Sequence, residues 1–549
     1  MSGAPLRADV VIVGGGPVGS LIAYQLARFG CKPYLIEQDD KKTMTCYGRA
    51  STMWPRTIEI LDQLDLAERL LQIGVVTRNA LHFRDGRRST GGLMYGSRMD
   101  KLGCIFANAS RRNTLKTVSP ITVRIRDLNK DEPFEVKTKY LIGADGGKSA
   151  VRSLTGIPFN GERTMHRWIR MDARVKTNMP NPRCLNSIDS KFHGQILWCP
   201  IDDGLTRIGY VFSQALLEKL WNLLSLEFLE VNWFTIYVRY FSGSLLRCMN
   251  AINFQGIGQA IAETFTAHDR IFLAGDACHT HSSGSAQGLN TGVHDAVNLA
   301  WKLALNILDL GKKSLIDSYN EERKPCVQQV IDNDKVISTL ISGQYPPRFE
   351  GRKEHPRDIL TEWYTDVNIQ LFTLGLGISY PTNLLNSASS DPSAATIVPG
   401  ERGPDVYLVT IGMGDPIRLH QVLKNDAKFH IVVFAGNPSL SRSGLVALKM
   451  ALEAPTAFTR AFPARRVFRF TTIAAAYGNS TTDVLGMPAF GGGRAYWDAE
   501  GCAHGIYGVD EARGAIIVFR PDGWVGCVVA LEDVQDLASY FENLLVSEA

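Results

Sequence analysis

The sequence predicts an α/β fold: an open, doubly wound parallel sheet interrupted by a β-rich unit and followed by a smaller α/β unit at the C-terminus. Three observations carry this expectation. Asp9 to Val13, rich in β-branched residues, closes on Gly14-Gly15-Gly16-Pro17-Val18-Gly19 and opens a helix with Val18, Ile22 and Leu26 at four-residue steps. Ile271 to Ala274 likewise runs into Gly275 and Asp276, a small-residue loop, and a helical pattern with Val293, Ala296, Ala300, Leu303 and Ile307 on one face. Between these two strand–loop–helix units, Trp168 to Phe212 alternates like paired sheet strands.

At 549 residues the chain exceeds what one core usually serves, so two or three domains are expected. A hydrophobic fraction of 45% and a charged fraction of 21% are those of an ordinary globular protein. A formal charge of +4, without a clustered basic stripe, gives no reason to expect a nucleic-acid partner. The ten cysteines are scattered with no C-x-x-C pair, which argues against a zinc site, a dithiol centre or a disulfide framework and fits a reducing, cytoplasmic setting. The first apolar run is short and ends in glycines, so it reads as a strand rather than a signal peptide. The most apolar late segment, Ile369 to Tyr380, is broken by Gly375 and Gly377, and no membrane span is expected.

In chain order, the first unit has the G-x-G-x-x-G spacing in its strand-to-helix context. Gly14 permits the tight turn, Gly16 lets the backbone approach a pyrophosphate at the helix end before Pro17, and Gly19 lets helix and strand pack closely. A second strand, Tyr34 to Ile36, delivers Glu37, an acid placed to accept hydrogen bonds from a ribose diol. Arg49 is either a bidentate donor to phosphate or a solvated surface arginine. The apolar strand Tyr140 to Gly143 ends in Ala144-Asp145-Gly146, which places Asp145 at a strand's carboxyl end, where ligands bind in open α/β sheets; taken by itself the motif reads as a plain Asp-Gly turn. In the last unit Asp276 and the small-residue loop offer one fixed acid and several free backbone N–H groups to one ligand.

With these three fingerprints in this order, the sequence resembles the FAD-dependent aromatic hydroxylases, the single-component flavoprotein monooxygenases, and among them the phenol hydroxylase-like branch. The resemblance implies a Rossmann-type FAD-binding domain with an inserted β-sheet substrate domain and a thioredoxin-like C-terminal α/β domain. It implies FAD as cofactor, NADPH or NADH as co-substrate, O2, a small aromatic substrate and a possible homodimer. Residue by residue, Glu37 resembles the ligand of the adenosine ribose, Asp276 that of the ribityl chain, and Asp145 a residue serving both FAD and the approach of NADPH. Gln287-Gly288-Leu289-Asn290 resembles the loop facing the flavin's pyrimidine edge, with a helix after Asn290 whose N-terminus favours negative charge on reduced flavin. Hydroxylation would proceed through a C4a-hydroperoxyflavin, which needs a closed, apolar substrate side. Arg207 and Tyr210, on the last strand of the middle segment, are the candidates to hold and polarise a phenolate; the alternative for the tyrosine is an amphipathic core edge.

Departures from the family pattern accompany the resemblance. Ser51 stands where the phenol hydroxylases carry an aspartate, Ser283 where a proline is frequent, and Ile257-Gly258-Gln259-Ala260 where the family ends in arginine. The segment 104–120 is short, and 239–256 reads as an extra surface loop or a retained intron. His279 and His281, two apart on a loop with no third ligand nearby, do not suggest a metal site.

From Ser314 to Leu340 a helical extension is expected, interrupted at Pro325, and 386–404 reads as a Ser/Pro/Gly/Ala linker. Beyond it come a strand from Phe429 to Phe434, a hairpin formed by Ala515 to Phe519 and Trp524 to Val529, and a last helix. The expected division is 1–160 and 263–385 for the FAD-binding domain, 161–262 for the substrate sheet and 405–549 for the C-terminal domain. The reading is an FAD-dependent monooxygenase of a phenolic or electron-rich aromatic compound, in keeping with natural-product biosynthesis. Two alternatives stay open: an epoxidase or rearrangement enzyme of a biosynthetic pathway, and an FAD-binding protein without turnover.

Overall fold

The computed structural model describes residues 6–40, 50, 52–73, 76–77, 81–84, 87–89, 96–98, 121–126, 133–163, 168–179, 181–190, 194–201, 204–211, 226–236, 258–387, 393–475, 481–487, 489–498 and 501–548. Arg49, Ser51, the short segment 104–120 and the proposed insertion 239–256 lie outside them. The first β-branched run forms the strand Leu6–Val13 of a six-stranded sheet. Pro33–Ile36 and Pro133–Gly143 flank it in parallel, Ile271–Leu273 continues the parallel order, and Thr266–Ala267 and Ile121–Arg126 pair antiparallel. The register sets Val13 opposite both Ile36 and Gly143, and Gly143 opposite Leu273. Four parallel strands therefore end in one row, and Gly14, Glu37, Ala144 and Ala274 follow along a single carboxyl edge.

Behind this edge the helix Pro17–Arg28 packs on the helix Gln287–Ile307. The second of these departs from the expected single apolar face: Ala296, Ala300 and Leu303 are inaccessible, but so are Asp295 and Lys302. It is enclosed by Pro17–Arg28, by the helix Lys313–Ile341 and by the C-terminal unit, so polar residues on it need partners inside the protein. Lys313–Ile341 also corrects an expectation, for it runs 29 residues through Pro325 without interruption. Proline removes one N–H there, and the packed residues on either side, Glu322, Arg323, Cys326 and Val327, hold the helix across the gap.

The inserted sheet has seven strands in the order Leu226–Ile236, Trp168–Thr177, Thr206–Val211, Gly194–Pro200, Asn186–Ser190, Leu81–Arg84 and Arg87–Ser89. The last two come from the segment assigned by sequence to the FAD-binding domain, because Leu81–Arg84 pairs in parallel with Asn186–Ser190. A three-stranded sheet of Phe159–Arg163, Gly258–Ala262 and His279–Thr280 joins insertion to parent domain.

In the C-terminal unit a seven-stranded mixed sheet runs in the order Pro416–Arg418, Tyr407–Thr410, Arg494–Trp497, Phe468–Ala474, Phe429–Gly436, Ala515–Phe519 and Val525–Val529. Strand alternation divides its core. Val432, Phe434, Ile517 and Phe519 pack in a cluster of their own, whereas Ile431, Val433, Ile516 and Val518 join the same continuous core as Ile12, Ile142 and Val293. The segment 386–404 is therefore no free tether. Asn386 is buried, Ala394 and Ala395 are buried, and Glu401 and Arg402 form bridges to Ser379 and Trp524. Among the described residues no helix is long and apolar enough to cross a membrane.

Candidate functional site

The carboxyl edge of the parallel sheet gathers the residues singled out from sequence. Gly14 has φ +104°, and a Cβ there would lie 2.3 Å from the Ala144 carbonyl oxygen. At Gly19 a Cβ would lie 2.0 Å from the Gly14 oxygen, whereas at Gly16 it would meet nothing within 4 Å. The loop is thus closed against its own sheet at Gly14 and Gly19 and open at Gly16. Pro17 opens the helix, and no side chain caps its N-terminus. Glu37 is held beside the loop, where one carboxylate oxygen accepts from Gly15 N at 2.8 Å and the other from Asp39 N at 3.1 Å.

Asp145 follows the next strand, but its carboxylate is turned inward on the chain. It accepts from Ser149 Oγ at 2.5 Å, Ala150 N at 2.7 Å and Val151 N at 3.2 Å, so it anchors the start of the helix Ala150–Leu154. From that helix Arg152 donates to the Ala277 carbonyl at 2.6 Å and the Gly147 carbonyl at 2.9 Å, tying two of the fingerprints together.

Asp276, by contrast, is exposed on a single turn, Gly275–Ala277. Its backbone is held from below. Asp295 accepts from Gly275 N at 3.0 Å, from Arg323 Nε at 2.8 Å and bonds His279 Nε2 at 2.7 Å, all in the interior. Burial alone would raise the Asp295 carboxyl, but Arg323 and His279 outweigh it and hold the group well below the usual carboxylate range. Cys278, His279 and Asp295 bring potential metal-ligand atoms together. The cation at that cluster is the Arg323 guanidinium, which bonds Asp295 directly. Sequence reasoning missed both Asp295 and Arg323, since neither belongs to a local motif; the acid within an otherwise apolar helix was the available signal.

The helix beyond Asp276 starts at Gln287, so Gln287, Gly288, Leu289 and Asn290 are its first turn rather than a loop before it. The small, turn-forming residues of this run obscured the start. Ala286 precedes it in the left-handed region, φ 54°, and no side chain caps the end, which leaves first-turn N–H groups available to a ligand. Asn290 uses its whole side chain as a brace. Its Oδ1 accepts from Trp54 N and Thr57 Oγ1, each at 2.8 Å, and its Nδ2 donates to the Thr52 and Ala286 carbonyls. Gln287 Nε2 donates to the Thr373 carbonyl at 2.6 Å.

The inserted sheet reaches this loop through Trp168, which donates to Ser342 Oγ at 3.2 Å; its ring would stand 3.0 Å from a Cβ at Gly284. Arg207 lies within the sheet with its guanidinium engaged. Nε and NH2 bond the two Asp172 oxygens at 2.7 and 2.8 Å, and both residues are almost wholly buried. The expected phenolate clamp is therefore already committed to a carboxylate across one strand pair. Tyr210 pairs its backbone with Ile169 and Ile196; its side chain lies outside the described residues, as does Arg49.

Comparison with known proteins agrees with this fold. Residues 7–102 and 93–334 match the family described as FAD binding domain, and 378–549 match the phenol hydroxylase C-terminal dimerisation domain. A phenol 2-monooxygenase of Aspergillus fumigatus is 26% identical, with 99% of this chain and 97% of its own covered. The 3-hydroxybenzoate 4-monooxygenase of Comamonas testosteroni is 25% identical, over 98% of this chain and 95% of its own. Among solved structures, aklavinone-11 hydroxylase in ternary complex with FAD and aklavinone has a TM-score of 0.67 at 18% identity, covering 98% of this chain and 99% of its own. The anhydrotetracycline hydroxylase OxyS from Streptomyces rimosus has 0.64 at 22%, covering 99% and 100%.

Proposed function

The chain belongs to the FAD-dependent aromatic monooxygenases that carry a phenol hydroxylase C-terminal dimerisation domain, and on that premise we propose that it hydroxylates a phenolic or electron-rich aromatic compound of a biosynthetic pathway. The observation that carries the assignment of its residues is the single row in which four parallel strands end, facing two helix N-termini without side-chain caps. A long, doubly anionic, polyhydroxylated cofactor fits that edge. The open face at Gly16 admits a pyrophosphate beside the start of the Pro17–Arg28 helix, with Gly14 and Gly19 shaping the loop, and Glu37 is placed for a ribose diol. The exposed Asp276 would hold the ribityl hydroxyls, and first-turn N–H groups of Gln287, Gly288 and Leu289 would face the electron-rich edge of the ring.

Held by these residues, FAD would supply the redox chemistry of the reaction, hydride acceptance from NAD(P)H and activation of dioxygen. The protein's own part is to hold, orient and exclude water. Asn290 contributes by fixing the first helical turn, Asp145 by shaping the loop before Ala150, and Arg207 by holding the roof sheet together through Asp172. Tyr210 remains the proposed substrate contact on that sheet. The finer organisation we propose is a homodimer through the C-terminal domain, in the cytoplasm.

Purification tests the reading. The protein should be yellow, its NADPH oxidation should accelerate with an accepted phenol, and the product should gain one oxygen by mass. Bound FAD without NADPH oxidation for any phenolic compound in a broad screen would leave a flavin-binding protein without turnover.

A further inference from the structure

The turn at residues 520–524 joins the two last strands of the C-terminal sheet, yet its residues lie among the helices of the FAD-binding domain. Asp522 accepts from Trp301 Nε1 at 3.0 Å on the helix Gln287–Ile307, and its carbonyl accepts from Arg56 NH2 at 2.8 Å on the helix Pro55–Gln63. Trp524 is buried with Arg56 over its ring at 4.5 Å, Tyr380 stacked at 5.1 Å and the edge of His294 at 5.9 Å. Gly523 turns the chain in the left-handed region, φ +82°, where any other side chain would be strained.

The two helices that this turn touches are the ones that Asn290 braces at the site. Asn290 holds Trp54 and Thr57 at the start of Pro55–Gln63, and the same narrow cavity is lined by Thr57, Gln287, Asn290 and His294. One turn from the C-terminal domain thus contacts both sides of the frame behind the first turn of Gln287–Ile307. A shift of Trp524 would move His294 and Arg56 in different elements, and with them the angle between the two helices.

We propose that the 520–524 turn of the C-terminal domain is a positioning element of the flavin site, with Trp524 and Asp522 setting where the first turn of the helix Gln287–Ile307 stands. This rests on the reading that FAD binds against that turn. The C-terminal domain then serves the site within its own chain, in addition to any contact between chains.

The test uses the full chain in four forms: wild type, Trp524→Ala, Trp524→Phe and Leu408→Ala. Leu408 is buried in the separate core cluster of the C-terminal sheet and serves as a control for general destabilisation. Apoprotein titrated with FAD should show a dissociation constant raised about tenfold or more in Trp524→Ala. The visible absorption band of its bound flavin should shift, Trp524→Phe should restore both readouts, and Leu408→Ala should lower thermal stability without moving either. If Trp524→Ala does not fold, Trp524→Leu, which keeps apolar bulk but loses the ring that Arg56, Tyr380 and His294 pack on, takes its place with the same expectation. Variants that bind FAD with wild-type affinity and spectrum overturn the positioning role, even if less stable. A wild-type protein that binds no FAD overturns instead the functional reading on which it rests.

Discussion

At the scale of single residues, the site separates an acid that faces outward from an acid that holds it there. Asp276 is exposed and Asp295 is buried beneath it, bonded to the Gly275 amide. Asp276→Ala should fold normally and yield protein poor in FAD, read from the ratio of flavin to protein absorbance; full flavin content would refute the ribityl contact. Asp295→Asn removes the charge that faces Arg323 and His279 in the interior, and should destabilise the fold by about 3 kcal/mol or more, checked by chemical denaturation. Buried histidines respond to mild acid, His430 among them together with His294 and His420, all pushed down by burial. Burial pushes His430 down to about 4 from its ordinary value of 6.5, while its Nε2 bonds the Lys424 carbonyl at 2.8 Å. Between those two values the unfolded chain binds a proton that the folded chain does not, so stability rises with pH there. The contribution is complete above pH 6.5 and lost as pH falls toward 4, about 3 kcal/mol in all. His430→Gln should reduce that slope in unfolding experiments across the window, leaving the part carried by His420 and His294; an unchanged slope would assign all of it to those groups.

At the scale of elements, what could be read from sequence depended on how local the cause was. Gly14, Gly16, Gly19, Glu37 and Asp276 were legible because a strand, a turn and a helix start each leave a signature within a few residues. The start of the helix at Gln287 was not, because the small residues before it resemble a longer loop and Ala286 takes a left-handed conformation that glycine usually marks. The engagement of Arg207 was hidden for another reason, as its partner Asp172 is brought opposite only by strand register. Pro325 shows the same limit from the other side: local chemistry says stop, and tertiary packing continues the helix. That conflict has a measurable residue. Pro325 is exposed inside Lys313–Ile341, so Pro325→Ala returns an N–H to the ladder and should stabilise the protein by about 1–3 kcal/mol. A lower melting temperature for this variant would mean that the proline ring itself contributes to the packing or rigidity of the helix.

At the scale of the whole molecule, two units that look separable in sequence share one interior. Glu322, inaccessible on Lys313–Ile341, accepts from Lys302 Nζ at 2.7 Å, Asn298 Nδ2 at 2.7 Å and Asn386 Nδ2 at 2.9 Å, and from Arg520 NH1 and NH2 at 2.6 and 3.0 Å. Arg520 in turn bonds Asp522, so two acids and two bases, all inaccessible, balance one another in the interior. Burial alone would raise the Glu322 carboxyl, and Arg520 with Lys302 outweighs it, keeping the group ionised far below its ordinary value. These contacts join the FAD-binding helices, the 386–404 segment and the C-terminal sheet at one point, under the continuous apolar core. Neither unit can therefore open alone without exposing both charge pairs and that core. Calorimetry at fixed protein concentration should show one cooperative transition for the full chain, and Glu322→Gln should lower it as a whole, by about 3 kcal/mol or more, without splitting it. Two resolved transitions, with only one of them moved by Glu322→Gln, would restore the picture of a C-terminal domain tethered beside an independent flavin domain.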